Sequence, residues 1–208
     1  VKKKVKKYQK SLKWSRDMIM ERGVRSFKGI RDISGFVNAA TVYKNDGYGV
    51  SGPFFFKKPK QLRFEILGSF SVPQGIIRTC DGAIIYTTPD KKVYDITNDL
   101  LWVKDIFSIL DAELFDGLTF TIEEKKSYNY KNNFLEIKIE KKGHLISEIK
   151  FADGSVICPS YYEQLGKIKF PYRLTFIGKD ASVETTLVLK KLKLNKGISN
   201  DLFNFTEK

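Results

Sequence analysis

The feature that most constrains this chain is an alternation of apolar and polar side chains at every second residue, recurring from about Ile33 onward. Leu62, Phe64 and Ile66 alternate with Arg63 and Glu65; Leu135, Ile137 and Ile139 alternate with Glu136, Lys138 and Glu140. Ile168, Phe170, Tyr172, Leu174 and Phe176 form a longer stripe of the same kind. Successive side chains of a strand point to opposite faces, so each stripe predicts a strand with one apolar and one wet face. Turn signals separate the stripes: Asn45-Asp46-Gly47, Asp81-Gly82, Pro89-Asp90, Lys142-Gly143 and Asp153-Gly154. A series of hairpins follows, with neighbouring strands antiparallel.

Helical spacing is confined to a few segments. Val5, Tyr8, Leu12 and Ile19 predict a helix from about Lys6 to Glu21, ended or loosened by Gly23. Asn98 or Asp99 can cap a second helix, whose broad apolar face is Leu101, Trp102, Ile106, Phe107 and Leu110, with Asp116-Gly117 closing the segment. A short helical turn is expected between Gly197 and Leu202. No repeat, low-complexity linker or shift of composition divides the 208 residues, so one domain spanning 1–208 is expected. Many half-apolar strands must then be covered by about two helices. Packing sheet on sheet would solve this, and so would curling one sheet around a hollow closed by helices. Periodicity alone does not choose between the two.

Composition narrows the function. No apolar run reaches the ~18 residues of a membrane-spanning helix. A net charge of +13 makes anionic partners attractive, nucleic acid and lipid headgroups among them. A nucleic-acid platform needs aromatic and basic residues on one exposed face, whereas here they alternate onto opposite faces, so no nucleic-acid partner is expected. The Lys2, Lys3, Lys4, Lys6, Lys7 and Lys10 cluster reads as a membrane-leaning tether within 1–10 or as a solubilising tail. His144, the one histidine, sits in a turn among lysines, and no nucleophile triad, phosphate loop or metal-ligand spacing occurs. An enzyme is therefore not expected, nor a metal or cofactor. Cys80 and Cys158 leave a disulfide or two thiols open.

The segment from Gly52 to Pro89, GPFFFKKPKQLRFEILGSFSVPQGIIRTCDGAIIYTTP, resembles the LolA/LolB superfamily of lipoprotein carriers. The matching pieces are Gly52, the aromatic strand Phe54-Phe55-Phe56, and the basic pair before proline, Lys57-Lys58-Pro59. Next come Leu62-Arg63-Phe64, Ile76 and Ile77 leading to Asp81-Gly82, and Ile84-Ile85-Tyr86 leading to Pro89. Phe170-Pro171, Leu192-Lys193-Leu194-Asn195 and Phe203-Asn204-Phe205 extend the likeness to about Ile33–Phe205. Gly35, Leu67-Gly68-Ser69-Phe70 and Gly75 resemble LolB-like members more than LolA-like ones. Soluble carriers have arginine before the proline; here it is Lys58, a point charge without the planar fork.

The resemblance implies a mainly β (α+β) fold: a strongly curved antiparallel sheet forming an incomplete β-barrel, with helices covering its concave apolar face. It implies a non-enzymatic carrier or acceptor of the acyl chains of lipoprotein or lipid during transport to the bacterial outer membrane. The expected location is the periplasm or the periplasmic face of that membrane, with any lipid anchor on a segment absent from this chain. A monomer is expected, and a partner carrier or a membrane surface would be its docking target. The same fold also serves envelope sensors and interaction modules, which remains the first alternative, with a basic β-sheet nucleic-acid-binding protein ranked behind it. The residues expected to line the lipid site are Phe54, Phe56, Leu62, Phe64, Ile66, Ile137, Tyr172, Leu174 and Phe176, with Trp102, Ile106 and Leu110 from the covering helix. Lys58 and Arg63 are candidates for a polar rim, and Leu67, Phe70 and Val72 for a membrane-facing loop.

Overall fold

A computed structural model describes residues 15–44, 46–80, 82–97, 109–110 and 112–203. Ser15 caps the helix α1 (Arg16–Lys28), its hydroxyl accepting from the Met18 amide at 3.2 Å. The sheet begins with β1 (Asp32–Tyr43) and β2 (Asp46–Lys57), then β3 (Gln61–Leu67), β4 (Pro73–Cys80), β5 (Ala83–Thr87) and β6 (Val93–Asp95). Beyond the second predicted helix come β7 (Thr119–Glu123), β8 (Ser127–Lys131), β9 (Leu135–Glu140) and β10 (Ile146–Phe151). Three long strands close the series: β11 (Val156–Leu165), β12 (Ile168–Ile177) and β13 (Val183–Leu194). Pro89-Asp90, Lys142-Gly143 and Asp153-Gly154 fall between consecutive strands of this order, whereas Asp46-Gly47 opens β2, and Asn45 and Asp81 lie outside the described residues.

All thirteen strands join one antiparallel sheet in the order β6-β5-β4-β3-β2-β1-β13-β12-β11-β10-β9-β8-β7. Each strand lies beside its sequence neighbour except at one join, where β1 pairs with β13 from Ile33↔Leu194 to Tyr43↔Val183. The sheet does not close, because β6 and β7 are its two edges. This is an incomplete, curved barrel and not two sheets packed face to face. Curvature has a visible cause at Gly52: a Cβ there would lie 1.7 Å from the Glu65 carbonyl oxygen of β3. Only a residue without a side chain permits backbones so close, and such glycines mark the bends of strongly curved sheets.

Two sequence expectations change. The helix does not end at Gly23 but runs on to Lys28. A Cβ at Gly23 would lie 2.6 Å from Ile139 Cδ1, so this glycine lets the helix settle onto β9 and does not break it. The expected helical residues 6–14 and 98–108, which include Trp102 and Ile106, lie outside the described residues. The expected C-terminal turn is present as a 3-10 turn, Asn200–Leu202.

The core is continuous from the helix to the sheet. Ile19, Val24, Phe27 and Ile30 are buried with Ile137, Ile139, Ile149 and Ile157 of the sheet. Phe27 stacks on Phe115 at 5.9 Å and meets Phe170 edge-on at 6.0 Å. The Tyr130 hydroxyl donates to the Arg16 carbonyl at 2.8 Å and fixes the start of the helix over β8. On the other side of the sheet, the chain after β13 is strapped down. Asp32 accepts from the Lys196 and Gly197 amides, Lys57 Nζ donates to the Ile198 carbonyl, and Arg63 Nη1 donates to the Leu202 carbonyl.

Candidate functional site

The register of the sheet decides which predicted lining residues share a surface. Phe54 of β2 faces Phe64 of β3, Phe56 faces Leu62, and Phe64 faces Ile77 of β4. Ile66 lies two residues from Phe64 and therefore on the same face. Across β1 the row continues, since Ile33 pairs with Phe56 and Val37 with Leu189. On β12, Leu174 pairs with Leu187 and Phe176 with Thr185. From Phe176 the row runs through Ile157 and Ile149 to Ile137 and Tyr130. Every strand residue in the predicted lining thus falls on one face, the face on which α1 lies.

Phe54, Leu62 and Ile137 are fully buried, Phe56, Leu110, Leu174 and Phe176 are buried, and Phe64 is 9% exposed. Ile66 and Tyr172 are partly buried and packed against the same core. The chemistry of this face is that of hydrocarbon and aromatic rings. Its one titratable candidate, Tyr172, has its phenol pushed up by burial and by Glu163, so it stays neutral. Among the described residues no cluster of histidine, cysteine, aspartate and glutamate is arranged to hold a metal ion. Cys158 carries a free thiol, pushed up by burial and by Glu148 and Glu184, and so remains the weak nucleophile of a protonated sulfur.

Sequence reasoning missed the middle of this face. Ile33, Val37, Ala39, Leu187 and Leu189 join the β2–β3 half to the β12 half, and all are buried. On β1 Gly35 interrupts the apolar row, and Phe36, Ala40 and Val42 put apolar residues on the opposite face, so alternation does not reveal a stripe. On β13 the alternation Leu187, Leu189 is broken before Leu192, where the register shifts opposite Ser34 and Phe36.

The two polar-rim candidates stand on different elements, Arg63 within β3 and Lys58 in the turn before it. Arg63 lies on the opposite face from Phe64, held by Glu65 at 2.9 Å and by the Leu202 carbonyl at 3.0 Å, so it anchors the C-terminal strap. Lys58 is in the β2–β3 turn, where its amide donates to the Arg31 carbonyl at 2.9 Å. The candidate loop Leu67, Phe70, Val72 lies at the other end of β3. There Gly68 donates to the Val72 carbonyl at 2.8 Å and closes a tight turn. Phe70 and Ser71 take left-handed backbone, φ 57° and 61°, a conformation uncommon for residues with side chains. Phe70 is 100% exposed and Val72 53%, while Leu67 is half-buried. In the meander the β1–β2 and β5–β6 turns lie at this same end, and they add exposed Tyr43, Tyr48 and Val93.

No family model matches the chain, and no curated protein matches it by sequence. Solved structures do match its fold. A LolA superfamily protein from Nitrosomonas europaea superposes with a TM-score of 0.61 at 9% identity, covering 92% of this chain and 98% of that one. A putative outer membrane lipoprotein-sorting protein domain from Vibrio parahaemolyticus gives 0.60 at 11% identity, covering 89% and 97%. A DUF1329 family protein from Desulfovibrio piger gives 0.61 at 12% identity, covering 89% and 94%. The chain has the LolA/LolB-like fold.

Proposed function

We propose that this protein is a non-enzymatic carrier or acceptor that shields acyl chains on the concave apolar face of its open sheet. The observation that carries the reading is the placement of the aromatic and aliphatic strand residues on one face of a sheet that remains unclosed. An acyl chain in water costs about 0.8 kcal/mol per methylene, on the order of 10 kcal/mol for a 16-carbon chain. A surface of Phe, Leu and Ile side chains offsets this without directional bonds, and the separation of lysines onto the other face favours hydrocarbon over nucleic acid as its ligand. The likeness to lipoprotein-sorting domains supports a periplasmic setting, and the fully exposed Phe70 in a tight turn supports a LolB-like approach to a membrane surface.

Native mass spectrometry of protein purified from an envelope fraction, followed by lipid extraction, tests the reading. One acylated molecule per chain is the expected result. A fluorescent palmitoyl probe titrated into delipidated protein should bind one to one, and Phe64→Glu should abolish that binding while the circular dichroism spectrum stays that of β-sheet. If the wild-type chain neither carries lipid nor binds the probe, the carrier reading is wrong.

A further inference from the structure

We propose that the wall of the sheet is breached between β12 and β13, and that the breach binds the anionic headgroup of an amphiphile whose tail runs to the concave face. β12 is paired with β11 along its length, from Val156↔Ile177 to Leu165↔Ile168. β13 is paired with β1 down to Ile33↔Leu194. Yet β12 and β13 pair with each other only from Ile177↔Glu184 to Arg173↔Val188. Below that point two interior strands, each held by its outer neighbour, part company.

The cause lies in β13. Ser34↔Lys193 and Phe36↔Lys190 are successive pairs, so β13 spends one more residue than β1 over this stretch. Lys191 takes up the extra residue with left-handed backbone, φ 52°. Such a bulge bends and twists its strand. Tyr161 of β11, on the far side of β12, has φ 52° as well, and its ring lies 4.8 Å from the Arg173 guanidinium.

The cleft left by this parting has a volume of about 410 Å³, within the range of small-molecule sites. Tyr161, Tyr172, Arg173, Leu189, Lys190 and Lys191 line it. Leu189 and Tyr172 belong to the concave apolar face, whereas Arg173 and Lys190 are exposed on the outside. Residues of both faces therefore line this one cleft. Three cations stand there against one carboxylate, Glu163. Among the described residues Lys190 and Lys191 form no ion pair. A guanidinium beside an aromatic ring can offer two parallel bonds to a phosphate or carboxylate, and flanking ammonium groups add charge without geometry. The apolar floor at Leu189 then leads a hydrocarbon tail inward.

The tail's destination rests on the carrier reading; the anion site does not. Delipidated full-length protein is titrated, below micelle-forming concentrations, with palmitoyl lysophosphatidic acid, neutral monopalmitin and glycerol-3-phosphate. Wild type should bind the anionic lysolipid at least tenfold more tightly than monopalmitin. Lys190→Glu with Lys191→Glu, both at exposed positions, should erase that preference and leave monopalmitin within twofold; Arg173→Gln should reproduce much of the loss. Equal affinity of wild type for the two lipids, or an unchanged preference in the variants, overturns the breach site while leaving the carrier reading standing. If monopalmitin never binds but glycerol-3-phosphate does, and the lysine variant loses it, the carrier reading fails and the breach is a site for a free phosphate ester.

Discussion

Under α1, the inner face of β9 and β12 is fitted to the chain's own helix. On β2 and β3 the same face is built of phenylalanines and a leucine paired across the strands beside a glycine bend. In the first region Gly23 lies against Ile139, Tyr130 is tied to the helix start, and Phe27 is wedged between Phe115 and Phe170. In the second, Phe54, Phe56, Leu62 and Phe64 face one another across two strands, with Gly52 pressed to the β3 backbone. One apolar pattern therefore serves two ends: a dry seam that fixes the fold, and a surface shaped by backbone curvature, proposed above to receive hydrocarbon.

The contrast breaks or holds on paired truncations. Ile137 is fully buried in the row that ends at Tyr130 beneath the helix. Ile137→Ala should cost about 4 kcal/mol, near the upper part of the range for such deletions, because a seam packed on both sides cannot collapse around the void. Phe64→Ala should cost less, about 3 kcal/mol at the low end of the range for phenylalanine, if its ring faces a space that already yields to a ligand. Urea unfolding of the two variants measures both, and equal losses would mean that the two regions are the same kind of core.

Gly52→Ala probes the curvature itself. The new methyl would collide with a backbone oxygen, which cannot rotate away as a side chain can, so about 3 kcal/mol of destabilisation is expected. Gly23→Ala makes a matching collision with the tip of Ile139, a flexible partner, and about 1 kcal/mol should suffice. Reversal of that order in thermal unfolding would show that helix docking, and not strand approach, is the tighter constraint.

Tyr130 supplies a smaller effect with a pH signature. Tyr130→Phe removes one buried hydrogen bond and should cost about 1 kcal/mol at neutral pH. Burial pushes the phenol from 10.0 up to about 12, so it is the neutral form that the fold favours. Its contribution is complete below pH 10, where both states hold the proton, and fades as pH rises through about 12. Wild type should thus lose stability over that interval more steeply than Tyr130→Phe. Parallel losses in alkaline denaturation would assign the sensitivity to other groups, Tyr162 first, since its buried hydroxyl is also raised.

Much of this was readable in the chain, for physical reasons that also mark the limits. The stripes in β3, β9 and β12 declared themselves because each has one buried and one wet face, and their neighbours were identified by turn chemistry. The extent of α1 was misread because a mid-helix glycine looks like a stop until its packing partner, Ile139, is known. Arg63 could be placed opposite Phe64 by alternation, but its bond to Leu202, 139 residues away in sequence, has no local signal. The parting of β12 and β13 was invisible for a related reason: Lys190-Lys191 reads as solvated surface, and a one-residue bulge shows only against the register of β1.

The weakest expected effect on stability falls at the residue with the most conspicuous exposure. Phe70 buries nothing, so Phe70→Gly removes no packing, and glycine suits its left-handed backbone better than phenylalanine does. Unfolding free energy should stay within about 0.5 kcal/mol of wild type or rise slightly. A fully exposed aromatic kept in a conformation that opposes it is an arrangement that stability does not explain. If the ring serves to enter a membrane, Phe70→Gly should lower co-sedimentation with phospholipid vesicles severalfold while leaving palmitoyl-probe affinity unchanged. Unchanged vesicle binding would detach the loop from the carrier cycle; a loss of probe affinity would instead draw the exposed end of β3 into the same apolar face as Phe64, and the two regions contrasted above would have to be redrawn around it.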